Sequence, residues 1–213
     1  LPENDRTIER IIYEKTSSLL NSYIIVAKQS SDKIVDCIKM NIANNPANKI
    51  FYNEDYSYVS NGKNFIYRDK FGTLKVPRPS MKGEFQLENA STAIAALRVL
   101  KKLKIKDTHI TQGVKNAYNM ARLEEIKSGR LKDMIPNNTL IVDSSHNPAG
   151  AKALNEYIKS LNCDVHAVVG MMPEKSHEDF INHIKNIKSL TVIDIPNTSS
   201  ISGKELKEKF KNI

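Results

Sequence analysis

Residues 139–150 read TLIVDSSHNPAG, an apolar run that ends in a polar loop. The apolar residues 140–142 predict a buried strand, and the small residues 149–151 open a stretch with helical spacing. Asp143 and His146 lie between the two. Loops from strand to helix usually carry such residues for turn formation, so a simple turn is the first interpretation. Ligands bind at the carboxyl ends of strands in α/β sheets, so a binding loop is the second.

The segments that follow this loop repeat the order of strand and helix. After the helical pattern at 149–161, apolar runs at 164–171 and 189–196 precede helical patterns at 177–187 and 203–213. Strands that alternate with helices are typical of a parallel, doubly wound sheet. The sequence therefore predicts an α/β fold, with the opening loop at the edge of the sheet where ligands bind.

The preceding part of the chain has a different pattern. An Asn61-Gly62 pair between aromatic-rich alternating runs predicts a β-hairpin, because both residue types accept the positive φ angles of a tight turn. Apolar spacing and helix caps predict one strand and several helices around it. These are a strand at 23–29 and helices at 6–20, 31–43, 83–103 and 106–120.

Composition and charge narrow the functional classes. The chain has 213 residues, 40% of them apolar and 26% charged, which is ordinary for a globular protein. Its net charge of +8 permits a nucleic-acid partner, but the cations are mostly lysines that alternate with acids, and aromatic residues are not interleaved with them. An enzyme that binds an anionic ligand explains the charge equally well. We therefore expect no nucleic-acid partner, and a basic nucleic-acid-binding module stays as an alternative.

The cysteines and the hydropathy of the sequence predict a cytoplasmic location for the protein. Cys37 and Cys163 lie far apart without metal-ligand spacing, which predicts free thiols in a reducing compartment. No stretch approaches the roughly 18 apolar residues of a membrane span, and the start has no signal-peptide pattern. We expect a cytoplasmic monomer without a membrane partner.

The glycine motifs that usually bind nucleotide phosphates are absent from the sequence. None of the eight glycines has the spacing of GxxxxGKS/T or of GxGxxG. If the chain binds a nucleotide, the usual phosphate-binding loop is therefore not among these 213 residues.

The polar residues of the opening loop each have two interpretations. Asp143 suits the diol of a ribose, because a carboxylate accepts two hydrogen bonds, but it equally suits the cap of the following turn. His146 suits an anion such as phosphate beside the N-terminus of the following helix, but it could simply be exposed. On physical grounds alone, the turn and the exposed histidine are favoured.

Three further residues are weak candidates when each is taken singly. Asn89 lies near the start of a predicted helix, where a capping role is the default. Arg122 could bind an anion or form a surface salt bridge with Glu125, and such pairs contribute little to stability. Lys175 follows a predicted strand and would lie at the same edge of the sheet as the opening loop.

The order of these motifs resembles a known enzyme family. The chain carries QLENA at 86–90, ARLE at 121–124, VDSSHNPAG at 142–150 and GMMPEKS at 170–176. In this order they resemble the second half of the folylpolyglutamate synthase/dihydrofolate synthase family, within the Mur ligase superfamily. The early segment 6–29 is similar to the family's T-x-x-x-IA-x-EKAGI…V-x-x-Q stretch, so the resemblance covers essentially the whole chain.

The resemblance implies two domains. Residues 1–119 would be the C-terminal part of the central ATP-binding domain, with helices, a strand and a hairpin. Residues 120–213 would be an incomplete, Rossmann-like C-terminal domain with a mostly parallel sheet. The resemblance implies truncation at both ends, because the family's phosphate-binding loop precedes the part that this chain resembles and the family's last strands follow it.

The resemblance also assigns roles to residues. Asn89 and Arg122 match positions that contact the nucleotide, Asp143 would hold the ribose, and His146 would approach the phosphates. Lys175 would contact a phosphate or the substrate. No residue of the chain is assigned as catalytic.

Lys15 matches the lysine of the family's EK pair, which the family uses as a carbamate. A carbamylated lysine is in effect a long carboxylate, and Mg²⁺ prefers such oxygen ligands. Without the modification, Lys15 would be a solvated helix residue.

The implied reaction is amide formation that depends on ATP and Mg²⁺. A folate or dihydropteroate carboxylate would attack the γ-phosphate to give an acyl phosphate, and the amino group of L-glutamate would displace phosphate. Because the chain has no phosphate-binding loop, we expect little or no ligase activity from it in isolation. It would then work with a missing N-terminal half, or be a degraded, non-catalytic remnant that binds nucleotide weakly or not at all.

Two motifs depart from the family pattern. Ser144 and Ser145 replace the Gly-Ala pair of the family's D-G-A-H-N-P, and EKTSS at 14–18 replaces EKAGI. Ser144 therefore adds a side chain where the backbone would pass close to a ligand.

Overall fold

The computed structural model describes residues 7–17, 19, 23–173, 177–196 and 200–210. The chain divides into two compact units. The first comprises Leu1–Ser80 with Gln86–Ala117, and the second comprises Met81–Phe85 with Tyr118–Ile213.

The described residues form both helices and strands. The helices are Ile8–Thr16 (α1), Asp32–Asn41 (α2), Phe85–Val99 (α3), Asp107–Lys115 (α4), Arg130–Met134 (α5), Pro148–Lys159 (α6), His177–Asn182 (α7) and Gly203–Lys209 (α8), with a short 3-10 helix at Lys101–Leu103. The strands are Tyr23–Val26 (β1), Asn48–Phe51 (β2), Tyr56–Asn61 (β3), Asn64–Asp69 (β4), Gly72–Pro77 (β5), Glu124–Ile126 (β6), Leu140–Val142 (β7), His166–Val169 (β8) and Ser189–Val192 (β9). No helix in the described part of the chain is both long enough and apolar enough to cross a membrane.

Two strands of the first unit, β1 and β2, pair in parallel. Parallel strands need a crossover connection, and α2 supplies it between them. This part of the unit shares a small core, formed by Ile24, Val26, Ile42, Ala47 and Phe51. The strand and helix predicted at 23–29 and 31–43 are therefore confirmed, each a few residues shorter than the pattern indicates.

The other three strands of the first unit, β3, β4 and β5, form an antiparallel meander. Asn61 pairs with Asn64 across the first turn, and Gly62 has a φ of 59°, so the predicted hairpin is confirmed. Glycine adopts this left-handed angle without the steric cost of a Cβ atom. The meander shares the main core of the unit with α3 and α4, through Phe65, Tyr67, Leu74, Val76, Leu87, Ile94, Ile110 and Val114.

The helix predicted over 83–103 is shorter in the structure, where α3 begins at Phe85 and ends at Val99. Gly83 has a φ of 100°, and Leu100 leaves the helical region before the 3-10 helix. The pattern overestimates the length of the helix, because apolar spacing does not reveal where the backbone leaves right-handed helical geometry at these two positions.

Strands and helices alternate in the second unit. β8 and β9 pair in parallel, from His166 beside Ser189 to Val169 beside Val192. The core beside them is formed by Ala151, Ile158, Met171, Phe180, Ile181, Ile184, Ile201, Leu206 and Phe210. The order of strand and helix predicted from residue 139 onward is therefore confirmed.

The pairing of β7 differs from the prediction. In the described part of the chain it pairs antiparallel with β6, with Glu124 beside Val142 and Ile126 beside Leu140. The sequence pattern does not predict β6, because its three residues include two acids and give no apolar alternation. The described strands of this unit therefore form two small sheets, β6–β7 and β8–β9, where the pattern predicts one mostly parallel sheet.

A buried amide on α6 gives a first testable prediction. Asn155 is only 6% exposed, and its Oδ1 accepts hydrogen bonds from the backbone N–H groups of Lys185 (3.0 Å) and Asn186 (3.3 Å). Asn155→Ala is expected to lower the free energy of unfolding of the second unit by about 1.5 kcal/mol, because two backbone donors lose their acceptor. Urea unfolding measures the change. Asn182→Ala, at an exposed asparagine, is the control, and equal losses in both variants would contradict the prediction.

Candidate functional site

Asp143 joins two loops of the second unit. It follows β7 directly, and its Oδ1 accepts the backbone N–H of Ser145 at 2.8 Å. Its Oδ2 accepts the backbone N–H of Leu123 at 2.9 Å, twenty residues earlier in the chain. The turn role that residue chemistry favours is therefore present, and the same carboxylate also fixes the loop that carries Arg122.

His146 follows in the same loop and is exposed. Its Nδ1 lies 2.9 Å from the carbonyl oxygen of Ser144, and since a carbonyl can only accept, Nδ1 is the donor. Asn147 then caps α6 by accepting the N–H of Gly150 at 2.8 Å, with Pro148 as the first helical residue. The ring is thus held beside the positive end of a twelve-residue helix.

The two serines of the loop are accommodated in different ways. Ser144 is exposed and donates its backbone N–H to the carbonyl oxygen of Ala121 at 2.8 Å. Ser145 packs on the first turn of α6, where a Cβ added at Gly150 would lie 2.9 Å from Ser145 Oγ and 3.0 Å from Ser145 Cβ. The missing side chain at Gly150 therefore leaves the room that Ser145 occupies.

Arg122 lies between two residues with left-handed backbone. Ala121 has a φ of 52° and Leu123 a φ of 49°, which costs on the order of 1 kcal/mol for each residue that carries a Cβ. Leu123 is only 2% exposed, whereas the side chain of Arg122 is exposed. Strained backbone of this kind is concentrated at functional sites, so the loop is a candidate ligand contact on geometry alone.

Glu124 holds the first of these two residues. Its Oε2 accepts the backbone N–H of Ala121 at 2.8 Å, and its Oε1 accepts the hydroxyl of Tyr118 at 2.5 Å. The backbone N–H of Ala121, and after it the Tyr118 hydroxyl, hold the pKa of the Glu124 carboxyl below its ordinary value.

The surface salt bridge considered for Arg122 is not formed. Glu125 pairs with Lys82 instead, at 2.6 Å, and this ammonium group holds the pKa of Glu125 below its ordinary value. Within the described part of the chain, Arg122 has no ion pair. Its guanidinium is therefore an exposed cation that no acid of the described residues pairs with.

Asn89 belongs to the first unit, whereas Arg122, Asp143 and His146 belong to the second. It lies exposed on α3, and its Nδ2 donates to Oε1 of Gln86 at 3.0 Å, so no helix cap is involved. Gln86 itself is only 4% exposed. The amide oxygen of Asn89 makes no hydrogen bond with another described residue and is free to accept one.

The two lysine candidates do not add to this arrangement. Lys15 lies in the last turn of α1 with an exposed side chain, and it has no ion pair or hydrogen bond with any described residue. Lys175 lies outside the described residues. No cluster of three or more His, Cys, Asp or Glu side chains that could hold a metal ion occurs in the described ranges, so these residues do not by themselves fit Mg²⁺.

Three residues of the site are missed by the sequence reasoning, namely Tyr118, Glu124 and Asn147. Glu124 belongs to the ARLE motif, where an acid two positions after an exposed arginine is the available signal. Asn147 precedes a proline at the start of a helical pattern, which is an ordinary cap signal. No sequence signal identifies Tyr118 as a partner of Glu124.

Part of the chain matches a known protein family. Residues 121–213 match the family model described as "Mur ligase, glutamate ligase domain". The dihydrofolate synthase/folylpolyglutamate synthase of Haemophilus influenzae is 26% identical over 172 residues, which are 74% of this chain and 38% of that protein.

Solved structures give the same fold. FolC of E. coli in complex with DHPP and ADP superposes with a TM-score of 0.80 at 22% identity, covering 98% of this chain and 49% of that one. A bifunctional folylpolyglutamate synthase/dihydrofolate synthase with Mn, AMPPNP and L-glutamate bound gives a TM-score of 0.75 at 22% identity, covering 94% and 46%. The chain thus spans less than half the length of each of these relatives. It has the mixed α/β fold of their C-terminal halves, and its residues 121–213 are similar to the glutamate ligase domain of Mur ligases.

Proposed function

We propose that this chain is the nucleotide-contacting part of an ATP-dependent amide ligase that adds L-glutamate to a folate or a dihydropteroate. The similar proteins support the class of reaction, since they are named as dihydrofolate and folylpolyglutamate synthases. Related structures contain ADP, DHPP, AMPPNP, Mn and L-glutamate, which are the kinds of ligand that this reaction requires.

The observation that carries the proposal is the exposed guanidinium of Arg122 on a strained loop, which has no ion pair with any described residue. A guanidinium donates two parallel hydrogen bonds to a phosphate, which suits it to the nucleotide contact that the family motif assigns. The loop is fixed to the turn after β7 through Leu123 and Asp143. The cation and the acid of the nucleotide motif are therefore held as one structural element.

Asp143 retains the capacity to bind ribose although it forms the turn. Each carboxylate oxygen has two acceptor sites, and each accepts one backbone N–H here, from Leu123 or from Ser145. One site on each oxygen is left for the two hydroxyls of a ribose. The structural role and the ligand role of this acid are therefore compatible.

His146 and Asn89 complete the proposed nucleotide contacts. Because Nδ1 of His146 donates to the Ser144 carbonyl, its Nε2 can donate to a phosphate only when the ring is cationic. Asn89 offers its amide oxygen to the nucleotide. Lys175 would contact a phosphate or the substrate, and a carbamylated Lys15 would be a magnesium ligand.

In the proposed reaction, the substrate carboxylate attacks the γ-phosphorus of ATP, the bond from that phosphorus to the β,γ-bridging oxygen breaks, and ADP leaves, which gives an acyl phosphate. The amino group of L-glutamate then attacks the acyl carbon, and inorganic phosphate leaves. The residues described above supply positioning and charge neutralisation, which are the main protein contributions to phosphoryl transfer. We expect the chain to bind nucleotide through these residues. Because the phosphate-binding glycine motif is not in these 213 residues, we expect turnover to need further sequence, such as an N-terminal half.

Nucleotide binding by variants at Arg122 tests the proposal. Arg122→Ala is expected to weaken ADP binding about tenfold, because a charge-assisted contact to a phosphate is lost. Arg122→Lys is expected to be intermediate, since an ammonium keeps the charge without the paired geometry. Isothermal titration of the purified chain with ADP measures both.

Arg130→Ala is the matched control, at a second exposed arginine of the same unit, and it should bind ADP like the unaltered chain. Tighter, salt-dependent binding of oligonucleotides than of ADP would contradict the ligase proposal and support the basic nucleic-acid module.

A further inference from the structure

We infer that Glu124 is a positioning residue that presents Arg122 to the phosphate-bearing ligand, acting together with Tyr118. This inference rests on the proposed function, because it gives Arg122 the ligand contact proposed above. Neither the sequence motif nor the comparisons assign a role to Glu124. Three hydrogen bonds to the backbone around Arg122 carry it.

The backbone on both sides of Arg122 is held by these contacts. Before it, Ala121 donates its N–H to Glu124 at 2.8 Å and accepts the N–H of Ser144 at 2.8 Å. After it, Leu123 donates its N–H to Asp143 at 2.9 Å. Residues other than glycine avoid the left-handed conformation. These three hydrogen bonds therefore hold Ala121 and Leu123 in that conformation.

The left-handed backbone at Ala121 and Leu123 determines where the neighbouring side chains lie. The side chain of Leu123 is almost fully buried, at 2% exposure, while that of Arg122 is exposed. If Ala121 returned to a right-handed or extended conformation, the chain direction before Arg122 would change and the guanidinium would move. Glu124 therefore sets where the cation of Arg122 lies.

The partners of Glu124 indicate positioning rather than charge pairing. Its two oxygens accept a backbone N–H and the hydroxyl of Tyr118, and no lysine or arginine of the described residues pairs with it. A carboxylate close in sequence to Arg122 thus stabilises the loop without neutralising the guanidinium. The full charge of Arg122 stays available to an anion.

The ionisation of Glu124 agrees with this geometry. Its pKa lies below the ordinary value because the Ala121 N–H and the Tyr118 hydroxyl stabilise the carboxylate. A depressed pKa means that the contact is complete above the ordinary glutamate pKa and is lost as the pH falls through the lower value. At neutral pH the carboxylate is therefore in the form that holds the loop.

A double-mutant cycle on ADP binding tests the inference. Glu124→Ala in the unaltered background is expected to weaken ADP binding about tenfold. In the Arg122→Ala background, the same change is expected to have no further effect, because Glu124 acts through Arg122. Glu124→Gln is expected to restore most of the affinity, since the amide oxygen can accept from Ala121 and the amide nitrogen can donate to the Tyr118 oxygen.

Two further readouts separate positioning from a general loss of structure. The three-bond coupling between HN and Hα reports φ at Ala121 and Leu123, and Glu124→Ala should move the Ala121 coupling from its left-handed value. Glu156→Ala is the matched control, at an exposed acid that pairs with Lys159 at 2.8 Å on α6, and it should leave the couplings and ADP affinity unchanged. Thermal unfolding confirms that each variant is folded.

The outcomes are distinguishable. If the unaltered chain does not bind ADP, the proposed function fails and the inference fails with it. If ADP binds, but Glu124→Ala has no effect or weakens binding equally in both backgrounds, only the inference is overturned. Non-additive losses together with rescue by glutamine support it.

Discussion

Replacing Asp69 with asparagine is expected to lower the free energy of unfolding of the first unit by about 3 kcal/mol. Asp69 and Arg98 form an ion pair between β4 and α3, with Arg98 Nε 3.0 Å from Asp69 Oδ2. Their side chains are only 7% and 10% exposed. Removing the carboxylate charge leaves a guanidinium in the core without its main counter-charge, which is among the most costly single changes in a protein.

Other groups around Asp69 add to this cost. Its Oδ1 accepts the backbone N–H of Phe71 at 2.8 Å, and its Oδ2 accepts the hydroxyl of Tyr67 at 3.1 Å. Burial and the nearby Asp69 carboxylate raise the pKa of Tyr67 well above its ordinary value, so the phenol stays a neutral donor. Arg98 Nε is close to the carboxylate but not aligned for a hydrogen bond, so its attraction to Asp69 is chiefly Coulombic.

Asp107 provides the matched control for this prediction. It also pairs with Arg98, at 3.2 Å, but its side chain is 63% exposed, so Asp107→Asn is expected to cost less than about 0.5 kcal/mol. Urea unfolding followed by tyrosine fluorescence measures both variants, because Tyr118 and Tyr157 lie in the second unit and the other six of the eight tyrosines lie in the first. Similar losses for the two asparagine variants would refute the buried pair as a stabilising element. Removing both charges, as Asp69→Leu with Arg98→Met, should recover part of the loss.

Much of the fold follows from local sequence signals. The Asn61-Gly62 turn and the strand-to-helix junction at Asn147 and Pro148 both lie where turn and cap chemistry place them. β6 does not follow from such signals, since its residues become a strand only by pairing with β7, fourteen or more positions later. Short strands of this kind depend on contacts that no local pattern contains.

The candidate site likewise combines features that the sequence predicts with features that only the structure reveals. Motif order makes Arg122 and Asp143 candidate residues, and the structure joins their loops through the hydrogen bond from the Leu123 backbone N–H to Asp143. Sequence reasoning does not foresee the left-handed backbone at Ala121 and Leu123, because the propensities of alanine and leucine oppose it. Nor does it reveal Glu124, whose partners are a backbone N–H and a tyrosine hydroxyl.

Asp143→Ala is expected to have two separable effects. It should lower the free energy of unfolding of the second unit by about 2 kcal/mol, because the N–H groups of Leu123 and Ser145 lose their acceptor. It should also weaken ADP binding more than tenfold, because the loop of Arg122 loses its anchor and the ribose loses its partner. Urea unfolding and isothermal titration measure the two effects, with Asp164→Asn, at an exposed acid paired to Lys188, as the control.

The contact between Asp143 and the ribose is tested by removing the hydroxyls from the ligand. If both free acceptor sites of the carboxylate bind ribose hydroxyls, the unaltered chain should bind ADP at least tenfold more tightly than 2′,3′-dideoxy-ADP. Asp143→Asn keeps one acceptor oxygen but places an amide N–H₂ where the second hydroxyl would donate, so it should lose most of that preference. An unaltered chain that binds both nucleotides equally would leave Asp143 with only its turn role. If Asp143→Asn still binds ADP more tightly than 2′,3′-dideoxy-ADP, another residue binds the ribose hydroxyls, because the carboxylate is then not needed to distinguish the two nucleotides.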